Sequence, residues 1–342
     1  MGTSTAHSNA IAGGVIRADI VVDVSESCDL PGPLKVASTV FLPPPEALSD
    51  DATVLFALPG GGYSRGYYDM HFPGHAGYSQ AEHHVARGLV VVAIDHLGVG
   101  ESSPEVSPHV TIHQIAAAND AAVRKISLLL ERGDVVPDYP CVRIARRVGI
   151  GQSMGGAVTV IMSGIHQTYD AAAVLGFSGI HTVLPFPSNE ESSEVADRID
   201  EDRRAAGSAP TSVAHTASLI PDFMHPFFCS DVPHDIVEAD TCGGYPLREH
   251  APVFGSATLP NCAVTLMLPG AVAAEAAALQ CPVFIGLGDR DTAPDPHLEP
   301  SAYSSATDIT LYVCKQMAHM HNFASTRQEL WDRLAGWCQS LT

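Results

Sequence analysis

Ser153 stands between Gly151 and Gly155 in the stretch Val148–Gly156, VGIGQSMGG. The stretch opens as a short apolar strand and closes in small residues. A serine hydroxyl is a weak nucleophile at neutral pH, and it reacts only when a base lies within hydrogen-bond reach and an acid orients that base. The chain offers both downstream, each just past an apolar run. Asp289 and Asp291 follow PVFIGL in Gly288-Asp289-Arg290-Asp291, and His319 and His321 follow DITLYVCK in Ala318-His319-Met320-His321. Nucleophile, imidazole and carboxylate together would perform acyl transfer through a covalent intermediate.

These groups need elements to hold them. Gly151 and Gly155 suit a sharp strand-to-helix turn in which the two backbones approach so closely that a Cβ at either flank would collide. Met154–His166 reads as the helix packed beneath that turn. Thr53–Leu58, TVLFAL, is a buried strand that runs into Pro59-Gly60-Gly61-Gly62-Tyr63, where glycines after a strand let something approach the backbone closely. Residues 15–42 read as a leading antiparallel hairpin, and residues 1–14 as a flexible tail. Gln80–Gly88 and Thr111–Glu131 are helices, and Leu89–Asp95, Arg147–Ile150 and Ala171–Phe177 are strands. Strands alternating with helices predict an α/β fold, a mostly parallel sheet with helices on both faces.

From about Pro185 to Gln280 the alternation stops. Glu190–Arg204 is a charged helical run, and the remainder is dense in Pro, His and aromatics, with Phe223, Met224, Phe227, Phe228, Tyr245 and Phe254 expected to be exposed. Segments this long in a compact chain are usually functional, and this one is expected to form a cap. The core then falls in two parts, 1–184 and 281–342, around a cap at 185–280. Alternation resumes with a helix at Ala271–Leu279 and strands at Pro282–Leu287 and Asp308–Val313. A final helix is expected to open at a capping box of Ser325 and Gln328. Leu330, Leu334, Trp337 and Leu341 recur along it at helical spacing.

With these pieces in place, the chain resembles a capped α/β-hydrolase from about residue 40 to its end. The carrying motifs are Gly-Gln-Ser153-Met-Gly, the loop DHLGVGES at Asp95–Ser102, Gly288-Asp289-Arg290-Asp291, and Ala318-His319 where the family usually has Gly-His. The resemblance implies an eight-stranded sheet with catalytic groups at the carboxyl ends of its strands. It points to Asp291 as the acid, with Asp289 the alternative, and to His319 as the base, with His321 the alternative. Two departures stand out. Pro59-Gly60-Gly61 replaces the His-Gly of many members, and Gly176-Phe177-Ser178 carries no carboxylate where some relatives place their acid. Oxyanion donors are main-chain amides, so the first departure leaves the chemistry intact; Gly61, Gly62 and Met154 are the expected donors. Tyr63, Phe223, Met224, Phe227 and Phe228 are the expected substrate contacts.

The function this implies is a serine hydrolase of a carboxylic ester or lactone with apolar bulk. Two alternatives stay open: a C–C bond hydrolase, thioesterase or cofactor-free lyase on the same triad, and a ligand-binding or sensing protein of low turnover. No cofactor and no metal is expected. The eight cysteines are scattered without a C-x-x-C pair, as in a reduced cytoplasmic protein, and His109 and His113, four apart, have no further ligand at metal spacing. A net charge of −20 argues against nucleic acid and anionic membrane as partners. The expected partner is a small molecule with apolar surface, bound by a monomer or homodimer. No run of eighteen apolar residues and no signal peptide is apparent.

Overall fold

The computed structural model describes residues 14–207 and 211–341, together with the backbone of His7–Ala10. Its centre is a set of strands with apolar side chains on both faces: β4 (Ala52–Leu58), β5 (Val90–Ile94), β6 (Ile144–Gln152), β7 (Ala171–Leu175) and β8 (Val283–Arg290). β5 and β7 are buried along their whole length, as strands covered on both sides must be. β1 (His7–Ala10), β2 (Ile16–Asp23) and β3 (Lys35–Leu42) stand on one side of this set and β9 (Ile309–Ala318) on the other. The sheet order is β1-β2-β3-β5-β4-β6-β7-β8-β9. Pairing is antiparallel from β1 to β5 and parallel from β5 to β9. The hairpin, every expected core strand and the mostly parallel sheet are present. His7–Ala10, assigned to a tail by sequence, adds a ninth strand against Ile16–Asp19; the rest of residues 1–13 lies outside the described part.

Helices α1 (Gln80–Val85), α2 (Ile112–Arg132) and α3 (Met154–Ile161) follow β4, β5 and β6. α2 opens on a capping box of Thr111 and Gln114 and stops at Gly133 in the left-handed conformation. α3 runs on as a π-helical turn through Met162–His166.

The segment that broke the alternation is not an irregular loop. It forms α4 (Asn189–Ala206), α5 (Val213–Ser218), α6 (Met224–Phe227), α7 (His234–Thr241), a 3₁₀ stretch at Asn261–Met267 and α8 (Ala273–Ala278). α4 is the expected charged helix; it buries Val195 and Ile199 and caps its own start with Ser188 and Glu191. The aromatics expected on the surface turn inward instead. Phe227, Phe228 and Phe254 are buried, Phe223 and Tyr245 are half-buried, and of the six only Met224 is exposed. Phe227, Phe228, Val232, Ile236 and Phe254 join one apolar cluster with Phe323, Met320 and the outer face of the sheet, so the insertion shares a core with the body of the protein.

α9 (Arg327–Ser340) closes the chain and buries Leu330, Trp331, Leu334 and Trp337. The expected capping box is not formed. The helix starts beyond Ser325, whose hydroxyl bonds to Asp231 of the insertion. All eight cysteines are free. Among the described residues no helix is long and apolar enough to cross a membrane.

Candidate active site

Ser153 sits between the end of β6 and the first residue of α3, with φ 55° and ψ −119°. A positive φ costs a residue with a Cβ some 1–3 kcal/mol, and the close approach around it explains the flanking glycines. A Cβ on Gly151 would stand 2.0 Å from the Gly155 carbonyl oxygen, and one on Gly155 would stand 2.0 Å from that of Leu58. The turn projects Oγ away from the sheet. His319, just past β9, faces it with Nε2 at 2.9 Å, and His319 Nδ1 lies 2.8 Å from Oδ1 of Asp291, just past β8. Serine, imidazole and carboxylate therefore form one hydrogen-bonded series.

Asp291 is buried, and every lone-pair direction of its carboxylate is occupied. Oδ1 also accepts from the Thr292 amide (2.8 Å), and Oδ2 accepts from the Gly288 amide (3.0 Å) and from His321 Nε2 (2.6 Å). Burial works against ionisation, but His321 and His319 outweigh it and hold the carboxyl well below its usual range. His321 is thus no rival to His319 for the serine; it is a second imidazole on the same carboxylate. Its Nε2 faces the carboxylate, and its Nδ1 is buried with no hydrogen-bond partner among the described residues. Asp289 is elsewhere employed: its two oxygens accept the amides of Gln316 and Met317 and shape the irregular end of β9.

The series opens into a cavity of about 140 Å³. Gly60, Gly61, Ser153, Met154 and His319 form its floor, and Phe223, Phe227, Ile220, Val213, Leu266 and Met267 from the insertion form much of its apolar wall. Gly61 and Met154 therefore line the same cavity as Ser153. The N–H of Met154, at the start of α3, has no acceptor within its helix. Gly62 does not line the cavity; its carbonyl is engaged by the insertion, accepting from the Ser256 amide at 2.9 Å and from Arg248.

Of the expected substrate contacts, Phe223 and Phe227 line the cavity, and the Phe227 ring lies 5.2 Å from that of His319. The other three do not. Tyr63 is fully buried with its hydroxyl donated to Asp240 at 2.6 Å, Phe228 packs edge-on against Phe323, and Met224 faces outward. For Met224 the short helix decides this: burial rises along α6 from exposed Met224 to buried Pro226 and Phe227, and one turn can present only part of its circumference to the cavity.

Three contacts were not apparent from sequence. The Gln152 side-chain amide, Nε2, donates to the His319 carbonyl at 2.8 Å. The amides of His319 and Met320 donate to the carbonyls of Pro226 and Phe227, so α6 grips the loop that bears the imidazole. His96 is a satisfied core residue bonded to the Pro59 carbonyl and to Asn119, and burial pushes it down to about 4. As for metals, Asp69, His71 and Glu82 are the described residues whose ligand atoms come close enough together, and Arg17 already bonds both carboxylates.

No protein-family model matches the chain, and no curated protein matches it in sequence. Solved structures do. A soluble variant of monoglyceride lipase from Saccharomyces cerevisiae, in complex with a substrate analogue, superposes with a TM-score of 0.60 at 14% identity, over 91% of this chain and 93% of its own. A thermophilic esterase from Thermogutta terrifontis gives 0.56 at 16% identity over 93% and 98%. A haloalkane dehalogenase loop variant from Bradyrhizobium elkanii gives 0.57 at 14% identity over 98% and 97%. The chain has the α/β-hydrolase fold. Identities this low carry the fold alone, and the activity has to be argued from the site.

Proposed function

We propose that the chain is a serine hydrolase of carboxylic esters or lactones that carry apolar bulk. The observation that supports this most is the unbroken series from Ser153 through His319 to Asp291, opening into a cavity walled by apolar side chains. His319 takes the hydroxyl proton as Ser153 Oγ attacks the substrate carbonyl. Asp291 keeps the imidazole in the tautomer that leaves Nε2 free to accept, and it stabilises the imidazolium that forms. The amides of Gly61 and Met154 receive the developing oxyanion. The alcohol departs with the proton from His319, and water, activated by the same imidazole, releases the acid and restores the serine.

Residues 185–280 act as the cap that gives the cavity its apolar wall. Such sites are mostly apolar with a few placed polar groups, and the walls favour a compact substrate over a polymer. Free thiols throughout fit a cytoplasmic setting. The test is a panel of hydrophobic aryl and alkyl esters and lactones set against thioesters and diketones. Turnover of the oxygen esters, abolished in Ser153→Ala, is expected. Turnover confined to diketones or thioesters would replace the ester assignment with one of those chemistries.

A further inference from the structure

The insertion does more than wall the cavity. Gly60–Tyr63 forms a tight turn closed by a bond from the Tyr63 amide to the Gly60 carbonyl (3.2 Å), with Gly62 at φ +82°. Three successive glycines have many accessible backbone states, whereas an oxyanion donor contributes only if it is aimed before the charge develops. Something must hold this turn, and the groups that hold it come from residues 240–256. The Gly62 carbonyl accepts from the Ser256 amide and the Arg248 guanidinium. The Ser64 amide donates to the Phe254 carbonyl at 3.0 Å, and the Ser64 hydroxyl donates to the Val253 carbonyl at 3.0 Å.

Arg248 is central to this set. Its side chain has no exposure to solvent and neither does that of Asp240, with which it pairs at 2.8 Å. Asp240 in turn accepts the hydroxyl of Tyr63, the residue that ends the turn. The guanidinium lies between two rings, 4.9 Å from the centroid of Tyr63 and 5.0 Å from that of Tyr245. A buried ion pair is a poor device for stability alone, since apolar side chains of similar volume often serve as well or better. A planar fork is suited to something else: it can bond a carboxylate and a carbonyl at once in fixed directions.

We infer that Arg248, backed by Asp240, is a positioning residue that fastens the Gly60–Tyr63 turn from the insertion, so that the oxyanion site is complete only with the insertion docked. This rests on the hydrolase reading above. It requires that Arg248 act on the rate of acyl transfer and not on ground-state binding.

The experiment compares wild type with the double variant Arg248→Met/Asp240→Leu, which removes both charges together so that neither is left buried alone. Steady-state hydrolysis of an aryl ester is measured alongside inhibition by an alkyl boronic acid, whose serine adduct places an oxygen anion in the same site. The expected result is a folded variant with kcat lowered about 10–100-fold, less than the roughly 10²–10³-fold that losing one oxyanion donor outright costs. KM should stay within about twofold, and boronic acid affinity should fall with kcat. A folded variant with wild-type kcat and boronic acid affinity would overturn the inference, as would a rise in KM alone. Should the double variant not fold, Arg248→Lys is read by the same criterion, because it keeps a charge against Asp240 but cannot fork to both partners. Wild type inert to every ester and to the boronic acid would instead sink the hydrolase reading, a result distinct from either of these.

Discussion

Asp291 carries two imidazoles and two amides on one carboxylate, and this distinguishes it from Asp289 in a way that can be measured. Asp291→Asn keeps the shape but presents an amide where His319 Nδ1–H needs an acceptor, so the wrong tautomer is favoured; kcat should fall by about 10³–10⁴-fold. Asp289→Asn should leave kcat within a few-fold, because its oxygens serve only the amides of Gln316 and Met317. Equal losses in the two variants would mean the acid has been misassigned. His321 belongs to the same question. His321→Leu removes one donor from a buried, ionised carboxylate, at a cost of about 1–3 kcal/mol in unfolding free energy, while His321→Gln retains a donor and should recover part of it. Chemical denaturation of the pair checks this. The carboxylate pair and the histidine pair are each two residues apart, so spacing alone left both members as candidates; the motif resemblance favoured Asp291 and His319, and those are the two that the strand ends bring into line with Ser153.

Between residue and molecule lie the turns and helices that aim these groups. The turn at Ser153 tolerates no Cβ beside it, since one on Gly155 would overlap the Leu58 carbonyl and that carbonyl is backbone with nowhere to move. Gly155→Ala should therefore be destabilised by several kcal/mol, about 3 or more by analogy with other overpacked and strained sites, and expressed soluble yield with thermal unfolding would show it. A variant as stable as wild type would mean that the turn can open. At this scale the sequence was readable where period and length are strong: β4, β5 and β7 as apolar runs, α2 from apolar residues recurring near the helical period, the turn from its glycines. Within the insertion it was readable at the charged run that became α4 and at Ala271–Leu279, which holds α8, and not between them. α5, α6 and α7 span six, four and eight residues, too short for a clear helical period. Ser325 misled for a different reason: a tertiary partner, Asp231, took the hydroxyl that a capping box would have used.

Across the whole molecule, stability should depend on pH through histidines buried in the neutral form. Burial lowers His84 to about 3 and His96 to about 4 from an ordinary 6.5. Between those values and 6.5 the unfolded chain binds protons that the folded chain refuses. Stability is therefore full above pH 6.5 and declines as pH falls, by about 1.4 kcal/mol per pH unit for each such group. The melting temperature should drop between pH 7 and pH 5, and more shallowly in His84→Gln; an unchanged melting temperature over that range would contradict the burial of both rings. The same scale explains why the link between Arg248 and the Gly62 carbonyl was invisible in sequence. The two residues are 186 positions apart, and Arg248 belongs to no motif, so nothing short of the docked insertion brings them together.

The claim at the centre of this account is that Ser153 is an activated nucleophile. It is tested most directly by intact-mass analysis after treatment with an alkyl fluorophosphonate, on wild type and on Ser153→Ala. A single adduct that maps to Ser153 and is absent from the variant is predicted. A folded wild-type protein that takes up no reagent, or that is labelled equally with Ser153 removed, would contradict the account.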